Sequence, residues 1–166
     1  MKNYLLVSAV ILIGLFACKT RDLTLIQNGS SEYEIIIPHN ADSVELKSSN
    51  ELQKYLQKIS GVSLAIRDED KISSNKRIFI GNTIEGKLLN AGADEIIIKV
   101  RDVDLFILGG DSRSTLYDVY SFMENYLGCR FYAPDVEIIP ETNHVRVPID
   151  IDYQYTPPVS TRTVHS

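Results

Sequence analysis

The chain has 166 residues, 44% of them apolar and 23% charged, with 17 basic against 22 acidic side chains and a net charge of -5. That composition supports one globular domain and excludes two large ones. The acidic balance leaves no basic footprint for a phosphate backbone, so nucleic acid is excluded as a partner class. Cys18 and Cys129 are the two cysteines, too few for a disulfide framework or a cysteine-rich zinc site.

Residues 1–17 read as a secretory signal: Lys2 supplies the positive start, an apolar run follows from Tyr4 to Phe16, and Ala17 precedes Cys18. Leu15-Phe16-Ala17-Cys18 resembles the bacterial lipobox, which implies cleavage before Cys18 and lipidation of that residue. The apolar run is shorter than the roughly 20 residues that span a bilayer, and Lys19, Arg21 and Asp22 follow at once. The expected partner is therefore a membrane reached through lipid on Cys18, and the expected location is the bacterial cell envelope, periplasmic or at the cell surface. Cys129 is then an unpaired thiol for which burial is expected.

Residues 18–31 are polar and end in Asn28-Gly29-Ser30-Ser31, which suits a tether, with the domain proper expected over 32–150. Tyr33 to Pro38 (YEIIIP) is β-branched and closed by proline, a strand signature. Asp42 and Glu45 then stand in capping-box spacing. Leu52, Tyr55, Leu56 and Ile59 follow as one apolar stripe, and Gly61 supplies a left-handed stop, so the spacing predicts an amphipathic helix. Val62 to Arg67 and Arg77 to Ile80 predict strands around a charged loop, Asp68 to Lys76, and Thr83 to Ala91 predicts a short helix. Glu95 to Val100 and Asp104 to Leu108 flank Arg101-Asp102-Val103 as a hairpin. Leu116, Val119, Tyr120, Met123 and Leu127 return to the helical period, with Tyr126 beside them and Gly128 as the stop. Cys129 to Tyr132, Val136 to Ile139 and Val145 to Val147 read as short extended segments. One mixed β-sheet packed by two main amphipathic helices, an α+β fold, is the simplest solution.

Few residues suggest chemistry. Gly109-Gly110-Asp111-Ser112 joins a strand to a helix, where an anion could bind, but it lacks G-x-G-x-x-G and a P-loop lysine, and Asp111 would repel phosphate. A turn with Asp111 or Ser112 as helix cap fits better. His39, His144 and His165 make no metal-ligating spacing, so neither a metal nor a cofactor is predicted. Asp135 and Glu137 could be drawn as the acid and base of a glycoside hydrolase, yet nothing distinguishes them from other neighbouring carboxylates, and they sit in what reads as a solvated loop. Tyr117, Tyr120 and Tyr126 could form a sugar-stacking row, although on an amphipathic helix packing is the commoner use. No catalytic residue is assigned.

Three stretches together resemble a known family. Asn50–Val62 (NELQKYLQKISGV) is similar to the A-x-E-L-Q-x-Y-L-x-K-I-T-G helix of accessory domains that precede glycoside hydrolase barrels, and Ile78–Thr83 (IFIGNT) to their I-x-I-G strand. Leu108–Pro134 (LGGDSRSTLYDVYSFMENYLGCRFYAP) resembles G-G-x-x-R-G-x-L-Y-A-V-Y-x-F-L-E-x-x-L-G-C-R-W-Y-x-P. That is the signature of the N-terminal domain of family 67 alpha-glucuronidases, related to the N-terminal domain of family 20 beta-hexosaminidases. Ser114 stands where the family has Gly, and Phe131 where it has Trp. The resemblance implies a non-catalytic domain, since the family's acid and base lie in a following (β/α)8 barrel, and residues 151–166 look like the linker towards a barrel this chain lacks. It therefore implies an accessory domain in glycan degradation, separated from its enzyme, with a glycoside hydrolase barrel or a glycan as partner. A stand-alone surface carbohydrate-binding module is the alternative.

Overall fold

The computed structural model describes residues 22–92, 95–110, 112–133 and 135–156, and the lipidation site expected at Cys18 lies outside them. Among the described residues ten strands and three α-helices run in the order β1 (Asp22–Gln27), β2 (Tyr33–Ile37), α1 (Ser43–Ser60), β3 (Ala65–Asp68), β4 (Lys76–Ile80), α2 (Ile84–Lys87), β5 (Ile96–Arg101), β6 (Asp104–Gly109), α3 (Ser112–Tyr126), β7 (Arg130–Ala133), β8 (Val136–Ile138), β9 (His144–Pro148) and β10 (Asp152–Tyr155). The central sheet has the order β10-β5-β6-β4-β2-β3. Its β3-β2-β4-β6 part is parallel, while β5 and β10 join antiparallel, so the sheet is mixed and the fold is α+β.

Local chemistry accounts for the two long helices. Asp42 accepts the backbone N–H groups of Val44 and Glu45, and the Glu45 carboxylate accepts the Asp42 N–H in return, a complete capping box at the start of α1. Gly61, at φ +76°, ends the helix in the left-handed region and donates its N–H to the Gln57 carbonyl. α3 packs against β6 because Gly109 has no side chain: a Cβ there would overlap the Ser114 hydroxyl and the Asp118 carboxylate. Gly109 thus serves close helix-to-strand packing. Ser114 lies within the helical run of α3 and is not among the residues of positive φ, so the serine needs no glycine-only conformation there.

The main core lies between the sheet and the helices. Ile35, Ile78, Ile80, Ile98, Leu105 and Ile107 meet Leu52, Leu56 and Ile59 of α1 and Val119, Phe122 and Met123 of α3, all buried. Cys129 is buried in the same core, as expected, and its thiol is pushed up by burial. The opposite face holds a smaller cluster of Ile36, Phe79, Ile97, Phe106 and Leu108, with Phe79 and Phe106 stacked at 4.8 Å.

Two boundaries differ from the sequence reading. The tether expected over 18–31 is, from Asp22 to Gln27, a strand that pairs antiparallel with β9 and buries Leu23, Leu25 and Ile26 in the main core. The linker expected over 151–166 is, from Asp152 to Tyr155, the edge strand β10 on β5, and Ile151 before it is buried. In both segments polar residues alternate with inward-facing apolar ones, so half of each strand has the composition of a linker. β3 is also shorter than expected, beginning at Ala65 instead of Val62.

Candidate functional site

β7 and β8 form a two-stranded ribbon that packs over the outer surface of both long helices. Strand alternation divides its residues. Phe131 and Glu137, which face each other in register, turn towards the helices, whereas Tyr132, Val136 and Ile138 are exposed. The Phe131 ring stands edge-on to Tyr55 of α1 at 5.1 Å and to Tyr120 of α3 at 4.9 Å, and Tyr55 and Tyr120 meet edge-on at 6.3 Å. Edge-to-face geometry sets the positive ring edge on the negative face, the favoured arrangement for aromatic pairs.

A groove of about 380 Å³ opens beside this triad, lined by Lys54, Tyr55, Lys58, Tyr120, Phe131, Ala133, Asp135 and Glu137. Its rim repeats one motif twice. The Tyr55 hydroxyl donates to Glu137 Oε2 at 2.6 Å while Lys58 Nζ donates to Glu137 Oε1 at 2.6 Å. The Tyr120 hydroxyl donates to Glu51 Oε2 at 3.1 Å while Lys54 Nζ lies 3.3 Å from the same oxygen. Lys54 and Lys58 also sit 5.1 and 4.9 Å from the Tyr55 ring centroid. Hydrogen bonds from Lys58 and Tyr55 hold the Glu137 carboxyl below the usual carboxylate range. Burial, then the neighbouring carboxylates, push both phenols up, Tyr120 to about 12 and Tyr55 further. At neutral pH Glu137 is therefore ionised and the Tyr55 and Tyr120 phenols are neutral.

Of the residues singled out in the sequence, Asp135 and Glu137 do meet at this groove, Asp135 in the ribbon turn at φ +65°. Glu137, held ionised by Lys58 and Tyr55, is not the member of such a pair that could supply the proton a glycosidic oxygen needs. The three tyrosines separate. Tyr120 joins the groove, Tyr126 is half-buried against Phe122 at 5.7 Å, and Tyr117 is 71% exposed, so they make no continuous row. Tyr55 and Lys58, which line the groove, and Glu51, which holds the Tyr120 hydroxyl beside it, read in the sequence only as parts of an amphipathic helix.

A second cleft, of about 350 Å³, lies beyond the ends of β2, β3 and β4 and is lined by Pro38, His39, Asn40, Asp42, Glu45, Glu69, Asn82 and Lys87. The strand order places it where open sheets commonly bind ligands, since the chain leaves β2 towards β3 and leaves β4 towards the opposite side. Its carboxylates are engaged by the backbone. Glu45 accepts from the N–H groups of Asp42 (3.1 Å) and Asn82 (3.0 Å), and Glu69 from those of His39 (3.1 Å) and Ile84 (2.6 Å). His39 Nδ1 lies 2.9 Å from Asp70 at the surface. His144 belongs to β9 and His165 lies outside the described residues. Among the described residues no group of three or more His, Cys, Asp or Glu is placed to hold a metal ion.

No protein-family model matches the chain, and no curated protein matches it in sequence. Solved structures do match in fold. One is a family GH115 4-O-methyl-alpha-glucuronidase with specificity for decorated arabinogalactans, with a TM-score of 0.57 at 20% identity, covering 83% of this chain and 19% of that one. Another is a mutant Streptomyces plicatus beta-hexosaminidase in complex with its product GlcNAc, with a TM-score of 0.51 at 12% identity, covering 82% of this chain and 23% of that one. The chain thus spans about a fifth of the length of the structures it matches, and its fold is one that also occurs as a part of glycoside hydrolases.

Proposed function

We propose that this protein is a non-catalytic accessory domain of an exported glycoside-hydrolase-like system in glycan degradation, held at the bacterial envelope by lipid on Cys18. The observation that carries the reading is the asymmetry of coverage: more than four-fifths of this chain corresponds to 19% and 23% of two glycosidases of different specificity. Kinship of fold warrants the association and not the activity. The membership suggested by the sequence motifs, the N-terminal domain of family 67 alpha-glucuronidases, is the finer form of the same proposal.

The side chains support a role without turnover. The carboxylates of the second cleft hold backbone N–H groups, and Glu137 of the groove is pinned by Tyr55 and Lys58. The outer face of the ribbon, with Tyr132, Val136 and Ile138 exposed by 66, 54 and 56%, offers an apolar surface on which a neighbouring domain could pack. The test assays the full chain in detergent on aryl glucuronide and aryl N-acetylhexosaminide substrates, with fatty-acid labelling of the same preparation. Expected are no hydrolysis and a label lost in Cys18→Ser. Hydrolysis abolished by Glu137→Gln would overturn the reading.

A further inference from the structure

We infer that the groove between α1, α3 and the β7–β8 ribbon is a binding subsite for a neutral pyranose unit of a saccharide chain. The inference deepens the accessory-domain reading and rests on it for the choice of ligand class.

The volume, about 380 Å³, falls within the roughly 300–1,000 Å³ typical of small-molecule sites. Tyr120 and Phe131 are half-buried and line the groove, so each keeps part of its ring open to the C–H face of a sugar ring, while both are locked by edge-on contacts with each other and with Tyr55. A rigid aromatic wall costs little ordering entropy on binding. Around it the two Tyr–Glu–Lys sets present acceptors and donors side by side, the alternation a hydroxylated ring requires. The lysine and glutamate side chains are between 19 and 50% exposed, which leaves their unused lone pairs and N–H groups accessible.

Charge selects among sugars. Lys54 is matched by Glu51 and Lys58 by Glu137, and Asp135 at the ribbon turn adds one further negative charge. Among the described residues no surplus cation lines the groove to receive a uronate, sulfate or phosphate, and a second anion there would sit against Glu137 and Asp135. A neutral ring avoids that cost.

The test is a calorimetric titration of the full chain in detergent with the N-acetylglucosamine dimer, a galactose trimer and a galacturonate trimer. Saturable binding of at least one neutral probe is expected, with the galacturonate trimer about tenfold weaker or silent. Ala133→Arg, an exposed strand position whose new side chain would fill the groove without touching the core, should weaken binding of the neutral probe by at least about tenfold with the near-ultraviolet spectrum unchanged. Lys58→Met should weaken it while leaving the fold intact. Absence of binding to both neutral probes, a preference for galacturonate, or binding indifferent to both substitutions would each overturn the subsite. None of those outcomes touches the accessory-domain reading, which fails separately if the wild-type chain hydrolyses the aryl glycosides.

Discussion

Two clefts of this molecule both carry carboxylates and differ in what those carboxylates hold. Above the ends of β2 and β4, Glu45 and Glu69 are bonded to backbone N–H groups of the loops that follow those strands, so each carboxylate fixes a chain path. Beside α1 and α3, Glu51 and Glu137 are bonded only to phenols and ammonium groups of side chains. The N–H groups that Glu45 holds are part-buried, and a backbone N–H buried without its acceptor costs its desolvation, whereas a half-exposed lysine turns to water. A carboxylate that holds part-buried backbone is committed to the fold, and one partnered by a half-exposed lysine can trade that partner for a ligand.

The largest expected effect comes from breaking the first set. Glu45 is 5% exposed, completes the capping box and accepts from Asn82 across the cleft. Glu45→Ala removes both bonds and should destabilise the protein by about 2–4 kcal/mol in urea unfolding. A loss no larger than that of a surface substitution would erase the distinction between the clefts.

Acid should come next. Glu34, held low by the Ser73 hydroxyl and the N–H groups of Ser73 and Ser74, and Glu137, held low by Lys58 and Tyr55, both lie below the ordinary 4.5. A depressed carboxyl contributes stability that is present above its unfolded value and is lost as pH falls through the folded one. The melting temperature should therefore drop as pH falls below about 4.5, and less so in Glu137→Gln. At the alkaline end the sign reverses. Tyr33 and Tyr120, each raised from 10.0 to about 12, contribute stability that is complete below 10 and lost as pH climbs towards 12, a loss that Tyr120→Phe should reduce. The smallest effect is expected at Lys54, half-exposed and 3.3 Å from Glu51. Lys54→Met should change stability by no more than about 0.5 kcal/mol in the same urea assay.

Much of the fold was legible because it is local. The Asp42-to-Glu45 box, the stripe of α1, the stop at Gly61 and the β5–β6 hairpin each depend on residues within a few positions of one another, and each stands as the spacing predicts. β1 was hidden because its partner β9 lies more than a hundred residues away, and because Leu23 and Leu25 alternate with Asp22 and Thr24 behind a signal-like segment. β10 was hidden likewise, with Tyr153 facing in and its polar neighbours facing out. The groove is half visible in the sequence: Tyr120 and Glu137 belong to recognisable patterns, but what gives Glu137 its character is Tyr55 and Lys58, 82 and 79 positions earlier. No sequence spacing records such a contact.

The most direct test of the division between the clefts is a carboxyl-carbon NMR titration that follows Glu45, Glu69, Glu51 and Glu137 as the N-acetylglucosamine dimer is added to the full chain. The account predicts that the Glu51 and Glu137 signals move together and saturate while Glu45 and Glu69 stay fixed. Movement at Glu45 and Glu69 with Glu51 and Glu137 unmoved would contradict it.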